Sequence, residues 1–269
     1  MIPAAFEYLR AGSVDDAIDA LGRDEDAKLL AGGHSLIPAL KLRIARPSIL
    51  VDVGRLDDLR YVRDEGNRIA IGALTRHAQV AADPVLERDC AVLARTAALV
   101  GDPQVRHRGT LGGSVAHADP ASDLPTVLLA LDADLVAHGP EGERTIAASS
   151  FFRGPFETAL APQEVLTEIR VPKIERGVYL KHTRRAQDWA TVGVAAVVVG
   201  GVTQVAFASM GPTPLRAHAV EDALARGAEA TEAAERSGEG TEPPSDVTGG
   251  AEYRAHLAQV YVRRALDQL

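Results

Sequence analysis

Two glycine pairs constrain this chain more than any other feature: Gly32-Gly33 within Ala31-Gly32-Gly33-His34-Ser35, and Gly112-Gly113 within Thr110-Leu111-Gly112-Gly113-Ser114. Each pair follows an apolar run and leads into an apolar or helical one. Without a Cβ, the backbone can approach a ligand closely and turn its N–H groups outward. Ser35 and Ser114 close the pairs and add a hydroxyl at the same spot. Two such loops in one chain point to a long ligand with a diphosphate in its middle. Neither loop fits the familiar nucleotide fingerprints: the first lacks the third glycine of a dinucleotide-binding βαβ unit, and no Walker-type lysine follows.

Composition removes several classes. The 269 residues suffice for a full core and two domains. A net charge of −8 gives no electrostatic footprint for nucleic acid, and 4% aromatic residues give no stacking platform. The single cysteine, Cys90, decides more. One thiol cannot hold an iron–sulfur cluster, which needs about four ligands, so any such cluster belongs to another chain. Cys90 itself reads as helix packing rather than a nucleophile. No apolar run reaches the length of a membrane span, and no basic region precedes an apolar one at the start, so the expected location is cytoplasmic.

Ser13 is placed to cap a helix over 14–21, with acidic residues in its first turn. Residues 28–31 read as a short buried strand that delivers the chain to the first glycine loop, and 38–42 as a helical turn beyond it. Residues 49–53 and 68–73 read as strands. Thr75 is placed to cap a helix through Val80, and a longer helix is expected over 84–100. Strands alternating with helices indicate an α/β core. Residues 126–131 predict a buried helix and 133–139 a strand. Composition shifts near Pro172. Beyond it, 179–183, 192–199 and 204–209 predict three antiparallel strands, 237–240 a loop, and 252–269 a closing helix with apolar residues at helical spacing.

Three stretches together carry a family resemblance: Lys28 through Pro38, Gly109 through Ser114, and Asp119-Pro120-Ala121-Ser122-Asp123-Leu124-Pro125. They look like the FAD-binding medium subunits of molybdenum hydroxylases, such as aerobic carbon monoxide dehydrogenase and xanthine dehydrogenase. Residues 164–172, 211–217, 244–246, 251–254 and 262–265 match as well, so the likeness runs along nearly the whole chain. It implies an α+β fold. A two-part α/β FAD-binding domain of the PCMH or vanillyl-alcohol-oxidase type would cover 1–172, with subdomains of about 1–54 and 55–172. A C-terminal domain over 173–269 would hold a three-stranded antiparallel sheet with helices.

The resemblance further implies that Ala31, Gly32, Gly33, His34 and Ser35, with Thr110, Leu111, Gly112, Gly113 and Ser114, wrap the FAD diphosphate, with Leu30 and Leu36 in the wider cofactor-binding set. Asp123 would bond the ribitol hydroxyls, Val100 would touch the flavin side, and Trp189 would lie near the isoalloxazine ring. Leu166 and Lys181 complete the implied cofactor set. Ser114 departs from the asparagine common in the family. Partners would be a large molybdopterin-binding subunit and a small 2Fe–2S subunit, in a dimer of heterotrimers. The assembly would pass electrons through FAD to an external acceptor, from the cytoplasm or the inner face of the membrane.

Plainer readings stand beside these. Asp123 also fits the cap of a helix starting near Pro125. His34 suits loop packing better than acid–base work. His117 and Asp119 lack a third metal ligand. Trp189 lies in a polar turn, which suits a ring cover or an interface; Lys181, Arg184 and Arg185 also fit a solvated basic face. Two other functions stay open: a self-sufficient flavin oxidoreductase, and a flavin-free assembly module, for which Ser114 is the motivating oddity.

Overall fold

The computed structural model describes residues 2–269. Its first unit runs β1 (Glu7–Arg10), α1 (Val14–Leu21), β2 (Lys28–Leu30), α2 (Leu36–Lys41) and β3 (Ile49–Asp52). β3 lies between β1 and β2 and pairs with both in parallel. Ser13 caps α1, its hydroxyl accepting from the Asp16 N–H at 3.0 Å. Ala17, Ile18 and Leu21 of that helix share a core with Val51. The strand expected to be buried at 28–31 is instead an edge strand. Lys28 is exposed and Leu29 and Leu30 only half-buried, because β3 takes the central place.

The second unit opens with β4 (Val62–Asp64) and β5 (Arg68–Gly72), then carries six helices: α3 (His77–Ala82), α4 (Pro84–Asp89), α5 (Ala91–Ala98), α6 (Pro103–Arg108), α7 (Leu111–His117) and α8 (Asp123–Ala130). It closes with β6 (Asp134–Gly139), β7 (Gly142–Ala147), α9 (Ala148–Phe151), β8 (Phe152–Gly154), β9 (Glu157–Thr158) and β10 (Val165–Pro172). Its sheet runs β4-β5-β10-β6-β7, antiparallel throughout. Ile69, Ile71, Leu135 and Ile169 of that sheet share one core with Leu93, Leu124 and Leu128 from the helices.

Two local expectations change here. The helix read over 84–100 breaks at Cys90, because the Asp89 carbonyl accepts the Ile174 N–H at 2.8 Å. Thr75 does not cap α3. Its hydroxyl faces Tyr61, accepting from that N–H at 3.2 Å and donating to that carbonyl at 3.0 Å. Arg76 is the cap residue instead, its N–H held by the Gln79 side chain at 2.9 Å.

The third unit runs β11 (Arg176–His182), β12 (Val192–Val199), β13 (Val202–Ala208), β14 (Leu215–Arg216), α10 (His218–Ala225), α11 (Ala230–Glu235) and α12 (Ala251–Leu266). Its antiparallel sheet has four strands rather than three, since the two residues of β14 pair with Ala206 and Phe207. Successive residues of β12 point to opposite faces. Ala195 and Val197 enter the core shared with α5 and α8, while Val192, Val194 and Ala196 pack with Val220, Leu257 and Val262. Helices on both faces explain the unbroken apolar run of 192–199. Among the described residues, no helix is long and apolar enough to cross a membrane.

Candidate functional site

The two glycine loops meet. A Cβ on Gly32 would overlap the Arg108 carbonyl oxygen and lie 2.8 Å from the Gly109 Cα, so only glycine lets the first loop rest on the entrance to the second. One on Gly113 would stand 3.9 Å from the Ala31 Cβ. Gly33 has φ +79°, the left-handed region that glycine adopts without strain.

What the loops do with their amides differs. Among the described residues, the main-chain N–H groups of Ala31, Gly32, Gly33, His34, Ser35 and Leu36 donate to no acceptor within the protein. Strand pairing ends when Leu30 accepts from Val53, at 3.1 Å, and helical bonding begins only when Ile37 donates to Gly33, at 3.0 Å. Six consecutive donors between them are unspent. Five of the six residues are half-buried and His34 is exposed, and a curled run of unpaired N–H groups of this kind suits an anion.

The second pair departs from expectation. Gly112 and Gly113 lie in the first turn of α7 rather than in an open loop. Leu111 donates to the Thr75 carbonyl at 2.9 Å, Gly112 to that of Ala73 at 2.8 Å, Gly113 to the Thr110 hydroxyl at 3.1 Å, and Ser114 to the Thr110 carbonyl at 3.0 Å. Its amides are not turned outward as a set. A Cβ on Gly112 would sit 2.5 Å from that of Ala73, so this glycine serves the packing of α7 on the end of β5. Gly113 is exposed and Ser114 half-buried, while Leu111 is fully buried and offers a ligand no side chain.

A second cluster gathers Val100, Asp123, Lys181 and Trp189. Asp123 is the first residue of α8 and caps nothing. Its carboxylate accepts from the Tyr179 hydroxyl at 2.7 Å and from Lys181 Nζ at 2.8 Å. Lys181 also reaches the Leu99 and Asp188 carbonyls, both at 3.3 Å, tying the end of α5 to the Trp189 turn. All three ammonium donors are thereby used, whereas a carboxylate with two partners keeps acceptor capacity. Burial pushes the Asp123 carboxyl above its usual range, against the pull of Lys181 and Tyr179, and burial with the adjacent Asp123 charge pushes the Tyr179 phenol well up. Trp189 is 57% exposed, as its polar turn suggested. Lys181 is an ion-paired, largely buried group, not part of a solvated basic face.

The two clusters lie at opposite ends of α6, whose six residues span about 9 Å. Arg106 Nη1 bonds the Val100 carbonyl at 3.1 Å, holding one end to the other. Leu166 stands apart as a core residue of β10, paired with Ala137. The His34 ring is exposed rather than packed in its loop. Cys90 is buried, and burial pushes its thiol up to about 12, which leaves no reactive thiolate.

Sequence reading missed several participants. His77 is 4% exposed beneath the second loop, where its Nδ1 has no partner, and burial pushes the imidazole down to about 4. Tyr179 is the buried partner of Asp123. Arg76 bonds the Arg108 carbonyl at the seam between the loops. None had a local signal, since each acquires its place through a contact with a distant segment.

Residues 4–174 match the model of the FAD binding domain in molybdopterin dehydrogenase, and residues 178–269 that of the CO dehydrogenase flavoprotein C-terminal domain. The chain is 41% identical over 280 residues to the carbon monoxide dehydrogenase medium chain of Hydrogenophaga pseudoflava, covering 99% of this chain and 98% of that one. It is 37% identical over 280 residues to the 6-hydroxypseudooxynicotine dehydrogenase complex subunit alpha of Paenarthrobacter nicotinovorans, covering 99% and 95%. Among solved structures, the Hydrogenophaga pseudoflava carbon monoxide dehydrogenase that lacks the Mo-pyranopterin moiety matches at TM-score 0.95 and 42% identity, over 100% of this chain and 98% of that one.

Proposed function

This chain belongs to the FAD-binding medium subunits of the molybdopterin-dependent dehydrogenases, and from that premise we propose that residues 31–36 seat the FAD diphosphate. The observation that carries this reading is the run of six unspent main-chain donors, which matches a doubly charged acceptor in chemistry. Gly113, exposed and without a side chain beside Ala31, and the half-buried Ser114 would border the same seat. Asp123, with acceptor capacity left, would take the ribitol hydroxyls. Val100 and Trp189, at the far end of α6, would border the flavin ring. Leu166 keeps a place in this set through β10 alone, as support behind the ring.

Bound FAD supplies the chemistry the side chains lack, because it takes up electrons singly and releases them singly or in pairs. The protein's own part is to hold charge and shape. Main-chain donors at 31–36 neutralise the phosphates without spending a charged side chain. Lys181 donates to Asp123 and opposes the burial that raises its carboxyl, which favours the charged form that accepts hydrogen bonds. The Lys181 bond to the Asp188 carbonyl holds the Trp189 turn over the same region.

In this reading the chain is the electron-transfer subunit of a molybdenum hydroxylase, organised as two domains, 1–172 and 173–269. A large molybdopterin-binding subunit and a small 2Fe–2S subunit deliver the electrons, in a dimer of heterotrimers. A cytoplasmic assembly, held loosely at the inner membrane face when its acceptor is a quinone, fits this arrangement. The relatives are named for carbon monoxide and for 6-hydroxypseudooxynicotine, so substrate choice is assigned to the large subunit.

Gly33→Val tests the seat. The branched side chain opposes φ +79° and meets Ile37 Cδ1, which a Cβ alone would approach to 2.7 Å. The assembled enzyme should lose its flavin absorbance while keeping its far-ultraviolet circular dichroism. Full flavin occupancy in that variant would refute the assignment.

A further inference from the structure

Arg76 occupies an unusual position for a cation. Its Nη1 donates to the Arg108 carbonyl oxygen, the same atom that a Cβ on Gly32 would overlap. The guanidinium is thus fixed at the seam where the first loop rests on the second. Its own N–H, bonded to the Gln79 side chain, anchors the residue at the head of α3.

No carboxylate lies within ion-pair distance of Arg76 among the described residues. The charged groups facing it most closely are Arg60 and Arg108, both cations, and Asp52. Asp52 is already engaged, accepting from the Tyr8 hydroxyl at 2.6 Å and the Gly54 N–H at 2.7 Å. Arg60 is also held at the first loop, because it donates to the Gly54 carbonyl and a Cβ on Gly54 would stand 3.5 Å from the Ala31 carbonyl oxygen. Arg60 is ion-paired with Asp57, whereas Arg76 has no such partner, so the charge of the guanidinium at the seam is unmatched among the described residues. A half-buried guanidinium repelled by its neighbours is costly unless an anion joins it. Burial, then Arg60 and Arg108, indeed draw its proton affinity down. One nitrogen braces a carbonyl, and a guanidinium carries further donors in the same plane.

We infer that Arg76 is a further binding residue of this site, supplying a charged donor to the phosphates seated on residues 31–36. This rests on the diphosphate reading above and adds a side chain to a seat otherwise made of main chain.

The test uses the full chain in its assembled complex, freed of flavin and titrated with FAD and with riboflavin, which has no phosphate. Arg76→Met should weaken FAD about tenfold to a hundredfold, the range of a hydrogen bond to a charged group. It should flatten the salt dependence of FAD binding and leave riboflavin unchanged. Arg76→Lys, which keeps the charge, should recover most of the loss. Equal weakening of FAD and riboflavin by Arg76→Met would show a strut for the Arg108 carbonyl and overturn the inference, as would unchanged FAD affinity. A parent complex that binds FAD no more tightly than riboflavin would instead refute the diphosphate seat itself.

Discussion

The first and second glycine loops contain the same pair followed by a hydroxyl residue or one close to it, yet they spend their backbones in opposite ways. In the first, glycine keeps six donors free and lets the chain turn through φ +79° at Gly33. In the second, the pair opens a helix whose first-turn donors go to Ala73, Thr75 and Thr110. Gly112 is there because α7 lies against β5 too closely for a side chain. A glycine pair thus marks a close approach, but its partner can be a ligand or the protein's own next layer. Only the hydrogen-bond inventory separates the two.

That difference should be largest in stability. Gly112→Val drives a branched side chain into Ala73 and should cost about 3 kcal/mol or more, read as a lower midpoint in urea. Gly33→Val should move that midpoint far less while emptying the flavin site. If both variants lose flavin with unchanged midpoints, the packing role of the second pair is wrong.

A smaller effect should appear in pH dependence, through the base of the second loop. His77 contacts Gly109, whose added Cβ would lie 2.6 Å from the imidazole Cδ2. Burial pushes that imidazole down to about 4, against about 6.5 in an unfolded chain. Between those values the unfolded chain binds the extra proton, so stability is complete above about pH 6.5 and declines as pH falls toward 4. The linked loss is about 3 kcal/mol in all. Urea midpoints across this range should fall less steeply in His77→Leu than in the parent; parallel slopes would mean that His77 titrates normally.

The smallest effect belongs to the cap. Thr110→Ala removes the acceptor of the Gly113 N–H and should cost about 1 kcal/mol. It also frees an amide beside the first loop, so flavin affinity should hold or rise slightly. A large loss of flavin in this variant would show that the Thr110 hydroxyl, rather than the first loop, carries the phosphate contact.

Much of the framework was readable along the chain. Ser13 with two acidic residues announced α1, the apolar run of 192–199 announced a strand covered on both faces, and the spacing of Leu257, Tyr261 and Leu266 announced the closing helix. β10, the middle strand of the five-stranded sheet, was not read as a strand. Its sequence carries Thr167, Glu168 and Arg170, which look like a solvated segment. Glu168 is buried because Tyr61 donates to it at 2.6 Å, Arg63 at 3.0 Å and Arg170 at 2.5 Å. Burial works to raise its carboxyl, and these partners together hold it below the ordinary value. Two of the three, Arg63 in β4 and Tyr61 just before it, come from more than a hundred residues earlier. The site shows the same division: both loops could be located, but not their unequal use, nor Tyr179 beneath Asp123 or Arg76 at the seam.

Local pattern settled what depends on near neighbours: the helices with caps and apolar spacing, the flexible positions at glycine, and the absence of cluster-forming thiols in a chain with one cysteine. Packing settled which donors stay free, because a backbone N–H is spent or spared only when a distant carbonyl arrives beside it. It likewise decided which charges are paired. Glu168 and Lys181 found opposite charges across the fold, while Arg76 was left facing its own kind, since long-range electrostatics depend on distances that spacing in sequence does not encode.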